Sequence, residues 1–321
     1  KTVELLDVAL QAAARPSVSF QAGWCRPDPW AILLCMRRSI HPGTTVGPVW
    51  LTISSLDRAL AFYEHSLGFR VHQRESNTVR LGAGAADLLV LTENAKAWPA
   101  RGTTGLFHLA VLVPSRLALA QVLRHLAESR VPLHGASDHL VSEALYLADP
   151  EGNGIEIYRD RPRAEWRYDG AEVRMVTDPL DLDGLLLELE GRDAPWTGLP
   201  KGTVIGHVHL RVAEISAAEH FYRDVLGFDL TTRYGASASF LSAGGYHHHV
   251  AANTWTSLGA PPPSPGSLGL RAFAVRLPDA QALEPVLARV REAGVTPEET
   301  PLGLLLRDPS GNGVLLQSGG G

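Results

Sequence analysis

The feature that most constrains this 321-residue chain is a pair of patterns used twice each. Val46-Gly47-Pro48-Val49-Trp50-Leu51-Thr52-Ile53, followed by Ala61-Phe62-Tyr63 and Leu67-Gly68-Phe69, returns as Ile205-Gly206-His207-Val208-His209-Leu210-Arg211-Val212, Ala218-Glu219-His220-Phe221-Tyr222 and Leu226-Gly227-Phe228. Phe107-His108-Leu109-Ala110-Val111-Leu112-Val113-Pro114, followed by Asp149-Pro150-Glu151-Gly152-Asn153-Gly154, returns as Arg271-Ala272-Phe273-Ala274-Val275-Arg276-Leu277-Pro278 and Asp308-Pro309-Ser310-Gly311-Asn312-Gly313. The order is A-B-A-B. A short unit repeated in this way buries its apolar face against another copy, so the fold is expected to be an assembly of paired units.

Each unit reads as a β-branched strand, a capping Ser or Asp (Ser55, Ser115, Asp279), an amphipathic helix and three Gly-punctuated strands. Gly68 and Gly227 stand where a left-handed helix C-cap is wanted, and the Asp-Pro-x-Gly-Asn-Gly turns supply further glycines before the fourth strands. The expected class is α+β, with four tandem βαβββ units in two paired half-barrel domains. Residues 1–44 are expected to be an N-terminal extension outside the core, 45–160 the first domain, 161–202 a connector rich in Asp, Pro and Arg, and 203–318 the second domain. Met36 is the expected natural start, with residues 1–35 upstream of it. The apolar run Trp30-Ala31-Ile32-Leu33-Leu34 is too short for a signal-peptide core.

Composition narrows the partners. Lys plus Arg is 29 against 34 Asp plus Glu, a net charge of −5, with no basic block able to neutralise a run of phosphates. No nucleic-acid partner is expected. A chain that is 45% hydrophobic has ample core material, yet no stretch approaches the ~18 consecutive apolar residues of a membrane span. The two cysteines, Cys25 and Cys35, lie outside all four units and form no CxxC motif, so the expected location is the cytoplasm. No G-x-S-x-G and no Gly-rich phosphate loop is present, which leaves hydrolase and nucleotide-binding readings unsupported.

The repeats, over about residues 46–318, resemble the vicinal oxygen chelate superfamily, which includes glyoxalase I, bleomycin-resistance proteins and extradiol dioxygenases. Within it, Ser137-Asp138-His139-Leu140-Val141-Ser142-Glu143-Ala144-Leu145-Tyr146-Leu147, Ile155-Glu156-Ile157-Tyr158-Arg159-Asp160-Arg161-Pro162 and Gly244-Gly245-Tyr246-His247-His248-His249 resemble the bacterial two-domain, bacillar-type catechol 2,3-dioxygenases. In such units the first and fourth strands each offer one side chain to a half-barrel. Unit one has Pro48 and the strand Asp87-Leu88-Leu89-Val90 there, and unit four has Ala272 and Leu315. Unit two has His108 and Glu156, and unit three has His207 and the histidine triplet. The pattern of losses implies that units two and three pair across the halves around one metal.

Strand parity agrees, because His207, His209 and Arg211 alternate with Val208, Leu210 and Val212, His108 alternates with Phe107, Leu109, Val111 and Val113, and Glu156 stands between Ile155 and Ile157. Two histidines and a carboxylate with open positions are the facial triad of non-haem Fe(II) oxygen chemistry, and Mn(II) is compatible with the same donors. The resemblance further implies a substrate-facing acid/base at His248, with His249 and His247 as the alternatives, an active-site Tyr at Tyr146 and a second His at His139. The loop from His139 to Tyr146 is shorter than that pattern. His209, on the face of His207, reads as a polar residue near the barrel rim, with a supporting place behind the metal ligands as the alternative.

The expected activity is O₂-dependent extradiol cleavage of a catechol to a 2-hydroxymuconic semialdehyde type of product. The expected partners are a small catecholic substrate and O₂, with no membrane, and shared sheet edges allow a homo-oligomer. Two alternatives stand beside it: a glyoxalase-type isomerase or lyase, which wants a second carboxylate where the fourth position here is expected to offer His, and a resistance-type protein that sequesters an aromatic ligand without a full metal triad.

Overall fold

The computed structural model describes residues 39–319 apart from 171 and 193, so Cys25, Cys35, the apolar run at 30–34 and Met36 lie outside the described residues. Thr44 and Ile40, within the expected N-terminal extension, are buried. Ile40 is buried in the core and its N–H donates to the Gly227 carbonyl at 2.6 Å.

The four units are all present. Unit one runs through β1 (Thr45–Ile53), α1 (Leu56–Leu60), a π-helical turn (Ala61–Ser66), β2 (Arg70–Glu75), β3 (Thr78–Gly82) and β4 (Asp87–Glu93). Unit two contains β5 (Gly105–Leu112), α2 (Arg116–Glu128), β6 (Gly135–Asp138), β7 (Ser142–Ala148) and β8 (Gly154–Asp160). The connector holds three two-residue strands, β9 (Tyr168–Asp169), β10 (Glu172–Val173) and β11 (Asp178–Pro179), and the short helix α3 (Leu182–Leu186). Unit three is β12 (Val204–Arg211), α4 (Ile215–Glu219), another π-helical turn (His220–Val225), β13 (Asp229–Tyr234), β14 (Ala238–Ser242) and β15 (Val250–Asn253). Unit four is β16 (Gly269–Leu277), α5 (Ala280–Glu292), β17 (Glu298–Thr300), β18 (Gly303–Arg307) and β19 (Gly313–Ser318).

Local sequence explains the helix ends. Ser115 Oγ accepts the Ala118 N–H at 3.1 Å and Asp279 Oδ1 accepts the Ala282 N–H at 2.8 Å, satisfying donors that the first helical turn leaves free. Ser55 caps α1 in the same way, whereas Glu214 before α4 makes no side-chain cap bond. Gly68 and Gly227 adopt φ of 79° and 94°, the left-handed region that stops a helix and that a side chain resists.

The units join across the halves of the chain. Units four and one form an eight-stranded sheet in the order β17-β18-β19-β16-β1-β4-β3-β2, and units two and three form a nine-stranded sheet, β11-β6-β7-β8-β5-β12-β15-β14-β13. In each, first strands of two units run antiparallel, β1 against β16 and β5 against β12, and each first strand is flanked by its own fourth strand in parallel. The seam of the first sheet carries Trp50, Val90, Ala272, Ala274 and Leu315, all buried, with Leu305 against them, which fits the absence of ligand residues from units one and four.

A second set of contacts runs within each half. The Asp149 carboxylate accepts the backbone N–H groups of Glu151 and Asn153 and the Asn153 side chain, so the Asp-Pro-x-Gly-Asn-Gly turn closes on its own aspartate. The buried Tyr63 hydroxyl of unit one then donates to Asp149 Oδ2 of unit two at 2.9 Å. Asp308 repeats the turn with Ser310 and Asn312, and Tyr222 of unit three donates to it at 3.0 Å. Sheets thus link units one to four and two to three, while Tyr–Asp bonds link one to two and three to four, closing a ring.

Removing one hydroxyl leaves a buried carboxylate short of a donor, which typically costs about 1–3 kcal/mol. Tyr63→Phe and Tyr222→Phe are each expected to lower stability by about that amount in urea unfolding with the m-value preserved. Unfolding midpoints equal to wild type in both variants would show that these ties carry no stability.

Candidate metal centre

The seam between β5 and β12 is irregular at two points, and both shape the site. His207 pairs with Ala110 and Ile205 with Val111, so Gly206 is an extra residue on β12. His209 pairs with His108 and Leu210 with Leu106, so Phe107 is an extra residue on β5. Each is a bulge that re-aims the side chains around it. A Cβ on Gly206 would stand 1.8 Å from the Tyr158 hydroxyl oxygen, so the residue before His207 must lack a side chain for that phenol to fit. Phe107 does not join the apolar face with Leu109, as simple alternation predicts. It packs its ring 5.4 Å from His108, 5.0 Å from His209 and 5.2 Å from Trp255, on the pocket side.

His108, Glu156 and His207 converge from the two units. His108 Nε2 lies 3.0 Å and His207 Nε2 3.1 Å from Glu156 Oε2, and the two Nε2 atoms are 3.4 Å apart. All three residues are buried. Donors about 2.1 Å from one centre and at roughly right angles are about 3 Å apart, so this triangle has the size of one face of a metal's coordination shell. Charge suits it too. Burial pushes His207 down to about 4, leaving a neutral imidazole. Burial works to raise Glu156, but the adjacent His207 and His108 hold its carboxyl well below the ordinary carboxylate range. Two imidazole nitrogens and one anionic oxygen are a fitting donor set for a divalent cation. His207 Nδ1 is buried without a hydrogen-bond partner, so its ring is oriented by packing against Tyr158 at 5.0 Å, His248 at 4.0 Å and His247 at 6.0 Å.

The position matching Glu156 in unit three is Ala251. Glu156 pairs with Ala110, two residues after His108, and Ala251 pairs with His209, two residues after His207. This corrects the expected fourth-position histidine: that site carries a methyl group. The triplet does not lie on a strand either, because β15 begins at Val250, and alternation therefore does not sort it. His248 packs on His207 and on Phe240, His247 is fully buried beside it, and His249 turns away to accept the Ala243 N–H on Nδ1 at 3.1 Å. Burial and the surrounding imidazoles push His248 well below its ordinary value.

Tyr146 pairs with Glu156 across β7 and β8, and burial followed by the Glu156 charge pushes its phenol well above the ordinary value. His139 Nε2 is 2.6 Å from the Tyr146 hydroxyl and its Nδ1 is 2.5 Å from the Val176 carbonyl. A carbonyl only accepts, so Nδ1 carries the proton, Nε2 accepts, and Tyr146 donates to it. His209 is buried rather than at a rim, with its Nε2 2.9 Å from the Asn253 side-chain nitrogen and its ring 4.9 Å from His108. Burial pushes it, too, well below its ordinary value.

Several pocket residues escaped the reading of the sequence. Tyr158 and Asp160 share the face of Glu156 on β8, a signal that parity already carried. The Tyr158 hydroxyl is 2.7 Å from that of Tyr246, which donates to Asp160 Oδ1 at 3.0 Å. Trp166, in the connector, is buried against Tyr246 and His247. With Val176 on His139, the connector is part of the pocket wall. Behind β7, Glu143 is buried and paired with Arg116, Arg159 and Arg161, and Arg161 also holds Asp138 beside His139.

Comparison with known proteins agrees with this architecture. The family model described as Glyoxalase/Bleomycin resistance protein/Dioxygenase superfamily matches residues 45–157 and 204–316. The catechol-2,3-dioxygenase of Bacillus subtilis (strain 168) is 45% identical over 276 residues, covering 84% of this chain and 96% of that protein. Among solved structures, a candidate dioxygenase from Bacillus subtilis subsp. subtilis str. 168 superposes with a TM-score of 0.60 at 13% identity, over 88% of this chain and 86% of that one. Glyoxalase I from Zea mays superposes with a TM-score of 0.52 at 16% identity, over 85% and 92%. At these identities the two structures speak to the fold.

The Gly206 contact yields a direct test. Gly206→Ala is expected to destabilise the protein by about 1–3 kcal/mol, the usual cost of overpacking, and the additional change Tyr158→Phe is expected to recover part of that loss. Thermal unfolding of the single and double variants decides it, and additive losses would show that the phenol is not what excludes a side chain.

Proposed function

The chain belongs to the Glyoxalase/Bleomycin resistance protein/Dioxygenase superfamily, and from that membership we propose that it is an extradiol dioxygenase, opening the ring of a catechol beside its two hydroxyls with O₂ to give a 2-hydroxymuconic semialdehyde type of product. The observation that carries this reading is the convergence of His108, Glu156 and His207, from two units, on one triangle with no fourth protein donor at Ala251. These three residues would hold one divalent metal, with Fe(II) as the active form and Mn(II) compatible with the same donors. When bound, such an ion supplies Lewis acidity towards two vicinal oxygens and one-electron chemistry towards O₂.

The chain's own groups have the remaining roles. His248 takes a proton from a substrate hydroxyl, a task for which a neutral imidazole is required, and later returns it. Tyr146, whose own proton goes to His139 through the 2.6 Å bond, accepts a hydrogen bond from a substrate hydroxyl. Phe107, Phe240 and Trp255 supply flat apolar walls suited to an aromatic ring. A glyoxalase-type isomerase would call for a second carboxylate opposite Glu156, and Ala251 supplies none.

One metal per chain is expected by elemental analysis, and His108→Ala, His207→Ala and Glu156→Ala are each expected to lose most of it while remaining folded. Undiminished iron in all three, or two metals per chain, contradicts the assignment. His248→Ala is expected to retain iron and catechol binding while kcat falls about 10²-fold or more, the scale of a positioned acid/base group. Absence of O₂ uptake by the iron-loaded protein with any catechol would remove the dioxygenase reading.

A further inference from the structure

Beyond the triad, three polar side chains form a line that ends on the pocket. His247 Nε2 lies 2.9 Å from Asp160 Oδ1, and His247 Nδ1 lies 2.8 Å from His248 Nδ1. The Asp160 oxygen also accepts the Tyr246 hydroxyl at 3.0 Å. His247 is fully buried, clamped by the rings of Tyr246 at 4.0 Å and Trp166 at 5.5 Å, and the Thr231 hydroxyl donates to its backbone carbonyl at 2.8 Å. No ring flip is available to it without opening this packing.

From these contacts we propose that Asp160 and His247 are positioning residues that hold His248 in the tautomer with its proton on Nδ1, so that Nε2 presents a lone pair to the substrate. A carboxylate oxygen only accepts, so the nitrogen facing it, His247 Nε2, carries a proton. With that single ring proton His247 has a bare lone pair on Nδ1, and a 2.8 Å contact with His248 Nδ1 is then a hydrogen bond in which His248 donates. The opposite tautomer of His248 needs either a lone pair of His247 against the Asp160 carboxylate, which gives up a charge-assisted bond, or a second proton on His247, which histidine ¹⁵N spectra read directly. His248 Nε2 is left as an acceptor. Among the described residues it has no hydrogen-bond partner, and its ring lies 4.0 Å from that of His207. The tautomer of a base is set here through a second imidazole rather than by a direct carboxylate contact. This inference rests on the reading of His248 as the group that takes a substrate proton.

The test uses the full chain with ¹⁵N-labelled histidines and Zn(II) in place of iron, so that no unpaired electrons broaden the signals, with His248 assigned by its loss in His248→Gln. Long-range ¹H–¹⁵N spectra are expected to show a protonated Nδ1 and a bare Nε2 on His248. Asp160→Ala and His247→Phe, which remove the acceptor at either step, are expected to give a mixture of the two tautomers. In the iron-loaded protein both are expected to lower kcat at least about tenfold, with KM for catechol changed less than about twofold. Asp160→Asn keeps an accepting oxygen and is expected to restore the wild-type tautomer. A proton on Nε2 of His248 in the wild type, or an unchanged Nδ1 proton in both disruptive variants, overturns the proposal. Wild-type turnover by His248→Ala would remove the base assignment and the proposal with it, an outcome distinguishable because the tautomer spectra stand independently of activity.

Discussion

The antiparallel pairing of β5 with β12 is the contact on which the site depends. It is the only place where the first strands of units two and three meet among the described residues, and it sets His108 beside His209 and His207 beside Ala110. A regular ladder would keep strict alternation along both strands. The extra residues at Gly206 and Phe107 break it twice, one letting the Tyr158 phenol in behind His207 and the other turning an aromatic ring into the pocket. Both bulges recur in the other sheet, between Val46 and Val49 and between Trp50 and Leu51. They therefore belong to the repeat itself, and the candidate metal centre sits on a distortion that the scaffold has in both copies.

The ring of four units explains why this pairing can be stable with so much polar matter inside it. Neutral imidazoles and a carboxylate are costly to bury unless they are bonded or the surroundings hold them. Tyr63 with Asp149 and Tyr222 with Asp308 anchor each unit of the polar sheet to a unit of the apolar one. Glu143, with three arginines from α2 and β8 and the residue beyond it, pins the outer face of β7. The connector adds Trp166 and the Val176 carbonyl, so the pocket is closed by a segment that belongs to no repeat.

Much of this was legible in the residues. The A-B-A-B order carried the four units, and the loss of ligand types from units one and four carried the pairing of two with three. Parity on β8 also placed Tyr158 and Asp160 on the face of Glu156, although no role was read for them. Where parity failed, the reason is local. Phe107 is a bulge, which alternation cannot represent, and the histidine triplet precedes β15, so contacts with Asp160, Thr231 and Ala243 decide its directions instead. Ala251 as the unoccupied fourth position followed only from the register of β12 with β15. The connector's part was illegible because Trp166 and Val176 act through folding back, which no spacing announces.

The apolar seam of Trp50, Val90, Ala272, Ala274 and Leu315 has a consequence for how such a chain tolerates change. It repeats the topology of the polar seam without any buried charge, so its substitutions register as cavities or clashes and alter how much folded protein persists in a cell. In the polar seam, changes at pocket side chains leave that apolar packing intact, while a position such as Gly206 still bears on stability. The two seams therefore weight abundance and pocket chemistry differently within one chain, and the pocket of one sheet can change while the other keeps the molecule above its stability threshold.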